Sequence, residues 1–175
     1  MGKRIAVVGV GNILMADEGA GVKVLEELER RGLSGEADLI DAGTGFFTIV
    51  PELVSYGKII IVDTVQGGEA PGAVYRFELR DIEDDVGFLS VHDIGVLHSL
   101  KMYGMVQRIP EDIVLFGVEP YSVRLSLEIT PRLKPVIHRL ADLIIEEIKK
   151  DQQTRRKGNG SQYPKAGQRA HRSAG

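Results

Sequence analysis

The chain has 175 residues, with 22 lysines and arginines against 25 aspartates and glutamates, so its formal net charge is −3. It contains no cysteine, which excludes disulfides, thiolate metal sites and thiol catalysis. No apolar run approaches the roughly 18 residues that a membrane-spanning helix needs, and the amino terminus enters an apolar strand without a signal-peptide pattern. These features predict a cytoplasmic protein with one folded domain.

Charge and polarity divide the chain near residue 150. Residues 151–175 contain six basic residues and one acidic residue, and only four of them are apolar. Such a segment cannot offset its ordering entropy by burial, so we predict a folded domain over residues 1–150 and a flexible basic tail over residues 151–175. The first 150 residues carry a net charge of −8, which argues against nucleic acid as the main partner.

Apolar runs and turn signals predict strands that alternate with helices. In chain order, the predicted strands are residues 4–8, 37–41, 58–65, 72–79 and 113–118, and the predicted helices are residues 22–30, 44–56, 92–103 and 131–150. The alternating polarity of residues 72–79 predicts an antiparallel or edge strand. Thr130 is predicted to cap the last helix, with Pro131 as its first residue. This order predicts an α/β fold, a three-layer α/β/α sandwich with a mostly parallel twisted sheet and one antiparallel strand.

Polar side chains follow several predicted strands, where parallel sheets bind their ligands. The candidates are Asn12, Asp17 and Glu18, then Asp41, Gly43 and Thr44, then Asp63, then Ser90, His92 and Asp93, and finally Glu119. Glu18, Asp63 and His92 form the strongest set, because two carboxylates and an imidazole suit a borderline divalent cation such as nickel, copper or zinc. Each also has a structural alternative: Glu18 can complement a helix dipole, Asp63 can cap a turn, and His92 can begin a helix.

The glycines after the first strand start a dinucleotide-binding pattern but do not complete it. Leu14 stands where the third glycine after Gly9 and Gly11 belongs, and Asp17 and Glu18 would repel a phosphate. We therefore expect no nucleotide site here, and the glycines are alternatively explained by a tight turn.

Residues 9–21, with the sequence GVGNILMADEGAG, closely resemble the N-terminal signature of the hydrogenase maturation endopeptidases. Further segments match that family in the same order: Asp41-Ala-Gly-Thr44, Ile61-Val-Asp63, Ser90-Val-His-Asp-Ile-Gly95, Gly117-Val-Glu-Pro120 and Leu127-Glu-Ile-Thr-Pro131. The resemblance covers about residues 4–150. Ala42 and Val96 are small departures from the family pattern.

The resemblance implies an endopeptidase that removes the C-terminal extension of a nickel–iron hydrogenase large-subunit precursor after nickel insertion. It implies Glu18, Asp63 and His92 as metal contacts, with the nickel carried by the substrate and not tightly held by the free enzyme. Asp41, Asp63 and Glu18 are the expected catalytic residues, and residues 43–44 are expected to shape the substrate channel.

Two catalytic routes are open at this point. Nickel can polarise the scissile carbonyl or activate a water molecule, or carboxylates can act as acid and base as they do in aspartic proteases. The alternative function is a non-catalytic nickel-sensing maturation factor or chaperone that uses the same three residues. Release of a C-terminal peptide from nickel-loaded precursor separates the two, because a chaperone only binds.

Overall fold

A computed structural model describes residues 4–79 and 91–159. Within them, five strands form one sheet in the order β2-β1-β3-β5-β4. The strands are β1 (Ile5–Val10), β2 (Asp38–Gly43), β3 (Lys58–Thr64), β4 (Val74–Glu78) and β5 (Ile113–Val118). The first three pairings in this order are parallel and the β5–β4 pairing is antiparallel. The predicted mostly parallel sheet with one antiparallel strand is confirmed.

The helices cover both faces of the sheet, so the fold is the predicted three-layer α/β/α sandwich. They are α1 (Ala20–Arg30), α2 (Phe46–Leu53), α3 (Val91–Gly104) and α4 (Lys134–Asn159). Ile60 and Val62 of β3 lie in one core cluster with α1 and α4, whereas Ile59 and Ile61 lie in the other with α2 and α3. Alternate side chains of a strand point to opposite faces, which is why one continuous apolar run serves two cores.

The parallel register brings the carboxyl ends of four strands to one edge of the sheet. Gly9 pairs with Asp41 across β1 and β2, and Asp63 pairs with Gly117 across β3 and β5. The loops that follow β1, β2, β3 and β5 therefore meet at this edge, which we call the carboxyl edge.

The last helix differs from its prediction at both ends. It begins at Lys134, and residues 131–133 form a turn. Thr130 does not cap it, because its hydroxyl donates a hydrogen bond to the buried Asp17 carboxylate at 3.0 Å. The helix also continues past Lys150 to Asn159, so residues 151–159 are helical although their composition predicts a tail.

One local ion pair and one tertiary hydrogen bond support the continuation of the helix. Asp151 and Arg155 are one turn apart and their side chains lie 2.7 Å from each other, and such a pair supports a helix. Gln152 also donates to Glu36 at 3.4 Å. The remainder of the predicted tail, residues 160–175, lies outside the described residues. None of the helices in the described part of the chain is long and apolar enough to cross a lipid bilayer.

Glycines allow α1 to contact the sheet backbone directly. A Cβ atom on Gly21 would lie 2.2 Å from the Val10 carbonyl oxygen and 2.3 Å from that of Val62. A Cβ atom on Gly11, whose φ is +139°, would lie 2.0 Å from the Glu18 carbonyl oxygen. Any side chain at these positions would push the start of α1 off the sheet. The glycine pattern is therefore explained by close backbone packing, in keeping with the tight-turn interpretation.

The side chain of Asp17 joins two segments that are distant in sequence. It is fully buried, and it accepts hydrogen bonds from the backbone N–H groups of Tyr121, Ser122 and Thr130 at 2.9, 3.0 and 2.6 Å. With the Thr130 hydroxyl, four donors converge on one carboxylate. Residues 121–130 form no helix or strand of their own, so this carboxylate replaces the missing backbone partners.

A second buried carboxylate couples α1 to α4. Glu27 accepts hydrogen bonds from Arg30 and Arg31, and one of its oxygens lies 2.9 Å from Nδ1 of His138. The bonds from Arg30, His138 and Arg31, in that order of size, lower the pKa of Glu27 to about 2. His138 thus has a structural role between the two helices.

Replacing Asp17 by alanine is expected to destabilise the fold severely. Three backbone N–H groups and one hydroxyl would lose their acceptor, and each buried group without a partner costs about 1–3 kcal/mol. We expect the free energy of unfolding in urea to fall by at least about 3 kcal/mol. The exposed Glu26, which pairs with Lys23, is the control, and its alanine variant should stay within about 0.5 kcal/mol of the parent. Equal losses for the two variants would contradict the role of Asp17.

The Glu27 contacts predict a defined loss of stability in acid. Because the folded-state pKa is lowered from 4.5 to about 2, the stabilisation is present above pH 4.5 and disappears as the pH falls through about 2. Urea unfolding at pH 5, 4, 3 and 2 should show a steeper decline for the parent than for Glu27→Gln. Glu26→Gln should follow the parent, and parallel curves for parent and Glu27→Gln would refute the assignment.

Candidate active site

An open cavity of about 700 Å³ lies at the carboxyl edge. Its lining comes from the ends of β1 and β3, the start of α2, the middle of α3 and the loop after β5. The polar lining residues are Asn12, Glu18, Thr44, Asp63, Thr64, Gln66 and Ser99. The apolar ones are Val10, Met15, Phe46, Phe47, Val96 and Val123. An apolar cavity with a few converging polar groups is the usual form of a ligand site.

The structure brings Glu18 and Asp63 to the same cavity, although 45 positions separate them in the sequence. Glu18 lies in a 3₁₀ turn, Ala16–Gly19, that leads into α1, and Asp63 is a buried residue of β3. The Thr64 hydroxyl donates to the Asp17 backbone carbonyl at 3.0 Å, which attaches the 3₁₀ turn to the end of β3. The Thr64 N–H donates to Oδ1 of Asp63 at 2.7 Å and so orients that carboxylate.

His92 lies in the first turn of α3. Val96 and Ser99 line the cavity from the same helix. Positions 92, 96 and 99 are four and three residues apart, and this spacing places them on one helix face. The side chain of His92 is outside the described residues, and the described side chains contain no group of three or more metal-binding residues. The predicted metal contacts thus remain a prediction, with two of the three residues placed at the cavity.

Asp41 reaches the carboxyl edge but is not among the residues that line the cavity. It is exposed at the end of β2, and its Oδ1 accepts a hydrogen bond from the Gly43 N–H at 2.8 Å. The Gly43 carbonyl in turn accepts from the Gly11 N–H at 2.9 Å, so this turn is held beside the first loop. Thr44 follows directly and does line the cavity, as the predicted substrate channel requires. The catalytic role of Asp41 stays a prediction.

Glu119 holds another wall of the cavity. Its buried carboxylate accepts hydrogen bonds from the Gly67 and Gly68 N–H groups at 2.9 and 3.3 Å, and from the Tyr75 hydroxyl at 2.8 Å. Burial, with this bond to Glu119 as the second cause, raises the pKa of Tyr75 to about 12. The tyrosine therefore stays a neutral donor, and the loop that carries Gln66 to the cavity is fixed.

The lining carries two carboxylates, and the described lining residues include no lysine or arginine. Such a cavity favours a cation, and it would oppose the binding of a phosphate or another anion. The paired carboxylates can also accept and donate a proton near a bound substrate. The chemistry of the lining is therefore compatible with a cation and with acid–base work on a substrate.

The sequence did not separate the roles of some residues that build the site, and it did not single out others. Asp17 and Glu18 are adjacent acids with equal sequence signals, yet one is a buried anchor and the other lines the cavity. Gln66 and Ser99 reach the cavity from positions without a motif. Thr64 had one usable signal, since it directly follows the strand-end Asp63.

Known proteins are similar to this chain over most of its length. The model of the family described as HycI, hydrogenase maturation protease, matches residues 22–147. The hydrogenase 2 maturation protease of Escherichia coli is 29% identical over 151 residues, covering 83% of this chain and 91% of that protein. The hydrogenase expression/formation protein HupD of Thiocapsa roseopersicina is 31% identical over 141 residues, and the match covers 76% of this chain but only 64% of that relative.

Solved structures share the fold as well. The crystal structure of a hydrogenase 2 maturation peptidase from Thaumarchaeota archaeon SCGC_AB-539-E09 matches with a TM-score of 0.64 and 30% identity, covering 83% of this chain and 98% of that one. The fold, the cavity at the carboxyl edge and the match over residues 22–147 lead to one conclusion. The chain belongs to the hydrogenase maturation protease family and is a peptidase.

Proposed function

We propose that the protein removes the C-terminal extension of a nickel–iron hydrogenase large-subunit precursor after nickel insertion, and that it recognises the bound nickel. One observation carries this proposal: Glu18 and Asp63 line a single acidic cavity beside the helix that contains His92. Membership in a peptidase family that matures hydrogenases supports the reaction, and it disfavours a non-catalytic nickel sensor.

The donor set supports nickel as part of the substrate. Two carboxylates and one imidazole would supply three ligands and leave coordination positions open. This chain has no cysteine, so any thiolate ligands must come from the precursor. In this proposal the nickel enters with the precursor, and the free protein holds it weakly or not at all.

Hydrolysis then needs an activated water molecule and a polarised carbonyl. The nickel of the precursor polarises the scissile carbonyl or the attacking water, which is the usual contribution of a bound divalent metal. A cavity carboxylate, Glu18 or Asp63, accepts the proton of that water and returns it to the leaving amine. Asp41 assists from the end of β2, and residues 43–44 guide the extension towards the cavity.

Removing any one of the three proposed nickel contacts should impair processing but not folding. Glu18→Gln and Asp63→Asn keep the side-chain shape and remove the charge, and His92→Ala removes the nitrogen ligand. We expect each variant to release the C-terminal peptide from nickel-loaded precursor at least about 10–100-fold more slowly. The double variant Glu18→Gln/Asp63→Asn should process precursor only slightly more slowly than the slower of the two single variants. Residues that act on one centre fail together, so their effects do not add. Mass spectrometry of the precursor over time provides the measurement.

Matched variants outside the cavity control for charge and size. Glu26→Gln and His138→Ala change exposed residues of α1 and α4, and both should process precursor at the parental rate. The competing structural view treats Glu18 and His92 as helix-terminus groups worth about 1 kcal/mol or less. Near-parental cleavage by Glu18→Gln and His92→Ala, with precursor shown to contain nickel, would reject the site assignment.

The proposed catalytic role of Asp41 can be tested separately from the hydrogen bond that it accepts in the turn. Asparagine keeps the oxygen that accepts the Gly43 N–H, so Asp41→Asn should preserve the turn and the melting temperature. If the charge assists at the scissile bond, kcat should fall about tenfold or more with an unchanged KM. Asp38→Asn, on the same strand and paired with Arg4, is the control. A parental kcat for Asp41→Asn would limit Asp41 to a structural role.

A further inference from the structure

The segments that line the cavity also carry large apolar side chains that face solvent. They come from the loop after β1, the start of α2 and the loop after β5, and we call them the apolar rim: Ile13, Leu14, Phe47, Val123, Leu125 and Leu127. Leu125 and Leu127 are 81% and 69% exposed. Large apolar side chains scattered singly need no explanation, but a patch gathered at one site marks an interaction surface.

The rim adjoins the cavity, and hydrogen bonds join the two loops that carry most of its residues. Phe47 and Val123 belong both to the rim and to the cavity lining. The Ser126 N–H donates to the Leu14 carbonyl at 2.9 Å, and the Ala16 N–H donates to the Ser126 carbonyl at 2.8 Å. These bonds join the loop after β1 to the loop after β5, so the two loops form one surface.

The rim is also held in place before any partner binds. The buried Asp17 carboxylate binds backbone N–H groups on both sides of residues 123–127, at Ser122 and at Thr130. The Ser126 hydroxyl further accepts from the Glu128 N–H at 3.1 Å. A surface whose backbone is already ordered loses less conformational entropy on association. The exposed leucines are thus presented by a fixed loop.

We propose that the apolar rim is the docking surface for the hydrogenase large-subunit precursor, and that it contacts apolar surface next to the C-terminal extension. This inference rests on the proposed function, since the extension must enter the cavity that Phe47 and Val123 of the rim line. A second copy of this chain seated on the rim would cover that cavity and exclude a protein substrate. The position of the rim therefore favours the protein substrate over a second copy of this chain as its partner.

The test replaces two rim leucines that do not line the cavity. The double variant Leu125→Ser/Leu127→Ser should raise both the KM for nickel-loaded precursor and the Kd of the precursor complex by about tenfold or more. Its kcat should stay within about twofold of the parental value, because the reacting groups are untouched. Both side chains are exposed, so the melting temperature should not change, and thermal unfolding verifies this.

The chain offers a matched control for exposed apolar area. Met105 and Val106 are 87% and 81% exposed, and they follow the end of α3, on the way to the start of β5 and away from the carboxyl edge. The double variant Met105→Ser/Val106→Ser should keep the parental KM and Kd. Equal weakening by the two double variants would show a non-specific effect of lost apolar area and would overturn the proposal.

The binding measurement separates this inference from the proposed function. If the parent binds precursor without cleaving it, the endopeptidase proposal fails, and the difference in Kd between parent and rim variant still tests the rim. If the rim variant binds precursor with the parental Kd, the rim is not the docking surface. If the parent is an oligomer and the rim variant a monomer in sedimentation, a second copy occupies the rim and the inference is wrong. If the parent does not bind precursor at all, both proposals fail.

Discussion

The buried carboxylate of Asp17 is the constraint on which the site depends. A single ionisable side chain accepts four hydrogen bonds from residues 121, 122 and 130, more than 100 positions away in sequence. A long loop without secondary structure has backbone groups that must find partners, and here one carboxylate accepts hydrogen bonds from three of its N–H groups. The same contacts place Val123 at the cavity and hold the apolar rim beside it. The wall of the site and the surface beside it thus share one anchor.

Close backbone packing places the neighbouring carboxylate where chemistry can occur. Gly21 lets α1 approach the backbone of β1 and β3 to a distance that no side chain would allow. The 3₁₀ turn before α1 is then attached to β3 through the Thr64 hydroxyl, and Glu18 lines the same cavity as Asp63. Ala16, at φ +50°, is the one non-glycine in the described residues with a left-handed backbone, and it lies in this turn. Such backbone strain persists only where the surrounding contacts fix it.

Buried charge is balanced within the fold at one end of the strands, whereas the described cavity lining at the other end is acidic. Where β3 begins, the buried Lys58 ammonium lies 2.8 Å from Asp112 and 3.0 Å from Glu147, so its charge is neutralised within the fold. At the carboxyl edge, Glu18 and Asp63 share a cavity whose described lining contains no lysine or arginine. The acidic cavity is suited to a cation from outside, and the apolar rim is suited to the protein that would carry it.

Periodicity in the sequence was sufficient to predict the α/β/α layers, the antiparallel strand and, residue for residue, the strand Ile113–Val118, because burial on both faces is recorded directly in apolar runs. Strand-end positions and motif order also selected Glu18 and Asp63 as candidates, and both line the cavity. Tertiary structure alone decided that Asp17 is an anchor, since two adjacent acids are equivalent until the partners of each are known. Tertiary structure also decided that the last helix begins at Lys134, because the Thr130 hydroxyl donates to Asp17 and does not cap that helix. Local signals predict local structure, whereas contacts between residues 100 positions apart exist only in the folded chain.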